Sequence, residues 1–74
     1  MNDFYINDYT FSNDGKIEVA NEKYSKDWPV VYLIHNDKKL YIGETQNVYK
    51  RMEQHLNNPS RKTLKKIKII FEIL

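Results

Sequence analysis

The chain has 74 residues, 41% of them hydrophobic and 30% charged, with no cysteine and a formal net charge of +2. A chain of this length buries roughly 60% of its unfolded surface, which supports one modest core and no second domain. The lack of cysteine excludes a disulfide scaffold and a thiolate zinc site, and fits a reducing, cytoplasmic setting.

The longest uninterrupted apolar run is five residues, 30–34, and Met1-Asn2-Asp3-Phe4 offers neither a basic region nor an apolar signal core. No membrane span and no export signal are therefore expected. Charge is unevenly spread. Residues 1–37 hold three Lys against seven acids, a balance of −4, and residues 38–74 hold nine Lys or Arg against three acids, a balance of +6. A basic half suits contact with a polyanion, and it also suits the solvated face of a helix.

In chain order, the first 27 residues are polar, with Phe4, Tyr5, Tyr9, Phe11 and Tyr24 spaced through them. Tyr9-Thr10-Phe11 alternates like a short strand, and Asn13-Asp14-Gly15 is a turn signal. Ile17, Ala20 and Tyr24 fall at i, i+3 and i+7, which predicts the apolar face of a short helix, although residues 16–19 also alternate like a strand. Trp28-Pro29 closes the region, because a residue before proline is pushed out of the helical basin. Trp28 itself reads as a core or lid anchor under the sheet.

Residues 30–34 are β-branched and aromatic, Asn36-Asp37 is a turn pair, and Leu40-Tyr41-Ile42 resumes the strand pattern, so a β-hairpin is predicted over 30–43. A two-residue turn at Asn36-Asp37 puts Tyr32 directly opposite Tyr41, with both phenols on one face. His35 reads as a loop histidine. Thr45 is a good N-cap for a helix over 45–57, in which Val48, Met52 and Leu56 form one stripe and Asn47, Arg51 and His55 a second along its edge. Asn57-Asn58-Pro59-Ser60 ends that helix, and a short basic helix is predicted over 61–66. Residues 67–74 have the apolar, β-branched weight of a third, largely buried strand. The expected fold is α+β, a three-stranded antiparallel sheet with two helices and an N-terminal extension, 1–29, packed on a domain spanning 30–74.

Val30-Val31-Tyr32, an eight-residue spacer, Tyr41-Ile42-Gly43 and then Arg51 eight residues further on resemble the GIY-YIG nuclease domain. The lead-in at Trp28-Pro29, with the polar extension before it, resembles the GIY-YIG domains at the head of bacterial proteins that carry a helicase-like ATPase. The first motif lacks the usual glycine, and the spacer is shorter than is typical. The resemblance implies a DNA endonuclease module of a larger protein, hydrolysing phosphodiester bonds with Mg²⁺ or Mn²⁺.

It also implies roles. Tyr32 and Tyr41 would flank the catalytic water and the scissile phosphate, and Arg51 would bind that phosphate. His55 would join them from the same helix, and Gly43 would let the backbone pass close to the helix start. The family holds its metal through a glutamate on a helix after the third strand, which would fall past Leu74, and Glu72, read as a solvent-side or sheet-edge carboxylate, is no substitute. The domain is therefore expected to be truncated and inactive alone. Its third strand, at Ile69, Ile70 or Ile73, is expected to be exposed enough for the chain to pair with another copy through that strand or the uncovered sheet face, or to be marginally stable alone.

Other readings stand beside these. A tyrosine pair by itself reads as cross-strand packing worth about 0.5–1 kcal/mol, and His55 reads equally as a surface residue. Arg61, Lys62, Lys65 and Lys66 suit contacts to a DNA backbone, without sequence preference. The alternative function is a nucleic-acid-binding or regulatory module that keeps the fold without the chemistry.

Overall fold

The computed structural model describes residues 3–73, and the side chain of Ile73 lies outside that description, as does Leu74. Strand β1, Asp3–Thr10, leads into helix α1, Asn13–Ala20. The hairpin strands are β2, Val30–His35, and β3, Leu40–Thr45; helix α2, Val48–Leu56, and strand β4, Lys66–Ile73, follow. Short 3-10 turns occupy Lys23–Ser25 and Pro59–Arg61. The sheet is antiparallel throughout, in the order β1-β4-β2-β3.

The α+β class is as expected, but the sheet has four strands. The N-terminal segment supplies the extra one, since β1 pairs along β4 from Asp3↔Ile73 to Thr10↔Lys66. The sequence pattern showed only its end, at Tyr9-Thr10. On β1 the positions facing the helices are Tyr5, Asn7 and Tyr9, whose polar groups need partners. Asn7 Nδ2 donates to the Tyr24 hydroxyl at 3.2 Å, the Tyr9 and Tyr24 hydroxyls bond to each other, and the Tyr24 ring stacks on Phe71 at 4.2 Å.

Placing β4 between β1 and β2 changes the reading of the last strand. Both its edges are hydrogen-bonded, so it has no free edge for a second copy, and Glu72 belongs to an interior strand. Ile69 is fully buried and Ile70 half-buried. The Glu72 carbonyl accepts a hydrogen bond from Trp28 Nε1 at 3.0 Å, while the Trp28 N–H donates to the Gln46 carbonyl at 2.9 Å. Trp28 thus ties the start of β2 to the ends of β3 and β4.

The hairpin register differs from the expected one by two residues: Tyr32 pairs with Gly43, and Tyr41 with Ile34. Asn36 explains this. Its Oδ1 accepts from the N–H groups of Lys38 and Lys39, both at 2.7 Å, which supports a loop over 36–39 in place of a two-residue turn. A slip of two preserves which face each side chain leaves, whereas a slip of one would have inverted the sheet.

The helices also shift. Thr45 remains in β3, and Asn47 caps α2 by accepting from the Lys50 N–H at 2.9 Å. Ser12 caps α1, which starts inside the predicted turn. The α1 face differs too, because Val19 is 0% exposed while Ile17 is 61% exposed. The basic helix over 61–66 does not form. Only Pro59–Arg61 coils, since Lys66 is drawn into β4 opposite both Thr10 and His35.

The core lies between the helices and one face of the sheet, where Val19, Val48 and Met52 meet Ile34, Ile67 and Ile69. Among the described residues, no helix is long and apolar enough to cross a membrane. Ile34, fully buried at the centre, should lose about 2–5 kcal/mol on Ile34→Ala. Ile17→Ala should stay within about 0.5 kcal/mol. Urea unfolding of the two variants checks that Ile34 belongs to the core and Ile17 does not.

Candidate active site around Tyr32 and His55

Two adjacent strands and one helix converge on the site. Tyr32 on β2 and Tyr41 on β3 project from the helix-covered face, their ring centroids 6.4 Å apart and nearly parallel. The two-residue register shift makes them diagonal neighbours rather than directly opposed, and they still meet. The position opposite Tyr32 is Gly43. A Cβ there would collide with the Tyr32 hydroxyl and lie 2.5 Å from its Cζ. The absent side chain is what lets the phenol lie across the neighbouring strand.

Helix α2 carries Arg51 and His55 one turn apart. The Tyr32 hydroxyl and His55 Nε2 are hydrogen-bonded at 3.0 Å, and both side chains are buried. Tyr41 packs edge-on against the His55 ring at 4.7 Å. Arg51 projects from the exposed side of α2, close enough for its charge to act on both Tyr32 and His55.

Arg61 completes the group from an unexpected direction. Its guanidinium lies over the Tyr41 ring, 4.3 Å from the centroid, and one terminal nitrogen donates to Ser60 Oγ at 2.7 Å. Its Nε is buried without a protein partner. Grouping Arg61 with the basic cluster missed this place beside the tyrosines, and no spacing rule links it to Tyr41. The Pro59–Arg61 turn, with the Asn58 side chain accepting from the Ser60 N–H at 3.0 Å, delivers it there.

The remaining basic residues are not gathered at the site. Lys62 and Lys65 are exposed beyond the turn, and Lys66 lies on the opposite face of the sheet, as its pairing with Thr10 and His35 requires.

Electrostatics sets the protonation states. Burial pushes the His55 imidazole below its ordinary 6.5, and the Arg61 and Arg51 charges push it the same way. Burial pushes the Tyr32 phenol above its ordinary 10, with Tyr41 adding to this and Arg51 and Arg61 opposing it. At neutral pH the bonded pair is a neutral phenol and a neutral imidazole.

The family model for the GIY-YIG catalytic domain matches residues 28–73, and the chain belongs to that family. This is a nuclease-type domain, whose substrate class is DNA. No curated relative and no solved structure matches the chain. Nucleases of this family use divalent metals in general. The donors gathered here are two phenols, an imidazole and two guanidinium cations, a set unsuited to a hard divalent ion, which takes oxygen ligands from carboxylates, carbonyls and water. Among the described residues, no group of three His, Cys, Asp or Glu could hold a metal.

Because His55 binds its proton more weakly in the folded chain than in the unfolded one, stability is full above about pH 6.5 and falls as the pH drops toward the lower folded value. His55→Gln should flatten that dependence. Urea midpoints of both proteins at about pH 7.5 and about pH 5.5 measure it.

Proposed function

We propose that the chain is the catalytic module of a DNA endonuclease, acting within a larger cytoplasmic protein such as the helicase-like ATPase proteins its lead-in resembles. One observation carries this reading: a buried, hydrogen-bonded phenol and imidazole stand beside two guanidinium groups. Phosphodiester hydrolysis asks for a path for one proton and for cations where charge builds on phosphorus.

The path runs through Tyr32. With the ring proton on Nδ1, His55 Nε2 accepts the Tyr32 hydroxyl proton while the phenol oxygen takes one from the attacking water; the water oxygen bonds to phosphorus as the bond to the leaving sugar oxygen breaks, and that oxygen takes its proton from solvent. No free phenolate has to persist, which matters for a buried phenol whose ionisation is disfavoured. Arg51 and Arg61 hold the phosphate from the helix and from the turn, and their hold strengthens as charge grows on its oxygens. A bound phosphate offsets part of the positive charge that keeps His55 poorly basic, so the imidazole gains proton affinity once substrate is in place. Tyr41 stacks beneath Arg61 and against His55, fixing both.

One observation favours the second reading, a nucleic-acid-binding module without chemistry: among the described residues, no carboxylate cluster accompanies the tyrosines. The two readings part in a nicking assay on supercoiled DNA with Mg²⁺ or Mn²⁺. The 74 residues alone are expected to bind without cutting, and the same domain joined to a glutamate-bearing helix after its last strand is expected to nick. In that longer polypeptide Tyr32→Phe, Tyr41→Phe and Arg51→Ala should each slow nicking by about a hundredfold. No nicking by the longer polypeptide would favour the binding module.

Binding itself should be weak, indifferent to sequence and steeply reduced by salt. Arg51→Ala should weaken it more than Lys38→Ala, as read by fluorescence anisotropy with a labelled duplex. Salt-independent affinity would argue that the basic half is only a solvated surface.

A further inference from the structure

The helices cover one face of the sheet, and the other face carries an apolar band. By register Phe4, Ile70, Leu33 and Leu40 form a diagonal across all four strands, flanked by Ile6, Val31 and Ile42. Phe4 is 70% exposed and Ile42 61% exposed. Contiguous exposure of this kind marks an interaction surface rather than scattered surface residues.

The band separates two corners of opposite charge. On one side lie Glu44, opposite Val31, and Glu72, opposite Phe4. On the other lie Lys66, opposite His35, and Lys68, opposite Leu33, with Asp8 paired to Lys68 at 3.9 Å. A site for a polyanion would carry a single sign of charge. A surface with both signs, one on each side of an apolar centre, is complementary to itself.

We propose that two copies of this chain associate face to face through this uncovered side of the sheet, about a two-fold axis lying in the face along the apolar band. That axis returns the band onto itself and lays the Glu44 corner of one copy on the Lys66 corner of the other, twice, as an isologous interface requires. An axis across the band would set Lys68 against its own copy, and like charges in contact are rejected. The diagonal also crosses the strands of the two copies at a steep angle, one of the two ways in which sheets pack face to face. Both tyrosine sites would remain on the outer, helix-covered sides.

Sedimentation equilibrium of the 74-residue chain over a wide concentration range tests this, with circular dichroism confirming that each variant is folded. The chain should sediment as a monomer–dimer equilibrium. Ile42→Asp, at an exposed position on an edge strand, should weaken association by about a hundredfold. Glu44→Lys and Lys66→Glu should each weaken it by about tenfold, and the double reversal should restore it. A monomer at every concentration would overturn the proposal. So would an Ile42→Asp variant that dimerises like the parent, or a double reversal no better than the single ones, because either would place any dimer contact elsewhere.

Discussion

A phenol hydroxyl buried under a helix has to find a hydrogen-bond partner, and most of the site is arranged around that requirement. Tyr32 reaches His55 only because its ring crosses β3 where Gly43 leaves room, and because α2 sets His55 on the face turned to the sheet. An unpartnered hydroxyl in that position would cost about 1–3 kcal/mol. The hairpin register, the cap at Asn47 and the position of α2 are thus constrained together. Displacing β3 would set a side chain against the Tyr32 ring, and displacing α2 would leave its hydroxyl without a partner.

The two arginines act against the pair they surround. Each adds to burial in making a positive charge on His55 less welcome, so the site is cationic at its rim and neutral at its centre. An anion entering such a site meets attraction at the rim and offsets the arginine charges that, added to burial, hold the imidazole poorly basic. Attraction and activation then come from the same charges, and a neutral ligand of equal size would gain neither.

Much of this was legible in the sequence, though unevenly. The hairpin and α2 announced themselves through β-branched runs and an i, i+4 stripe, and the period of two protected the site from a misplaced turn, since Tyr32 and Tyr41 share a face in either register. Of the first strand only the end at Tyr9-Thr10 was read, because Asn7 and Tyr9 face inward as a hydrogen-bonded group, which periodicity reads as surface. On α1 the i, i+3, i+7 spacing pointed to Ile17, Ala20 and Tyr24, and the tertiary fold buries Val19 and leaves Ile17 exposed. Arg61 could not be found from spacing, because a short turn and not a regular element brings it to Tyr41. Lys66 illustrates the converse: its neighbours in sequence suggested a shared role, and strand alternation sends it to the other side of the sheet.

The place of β4 has a consequence for how the chain folds. The last strand in sequence is an inner strand in space, and it joins the first strand to the hairpin. Until it is inserted, β1 has no partner and β2 is paired on one side only. During synthesis the hairpin and α2 can form early from local contacts, whereas the sheet closes only after β4 has left the ribosome. Loop closure across nearly the whole chain then precedes the reward of pairing, which slows folding relative to a meander of the same size. In that interval the hairpin would expose an unpaired edge of apolar residues, the part of this molecule most in need of protection while it is being made.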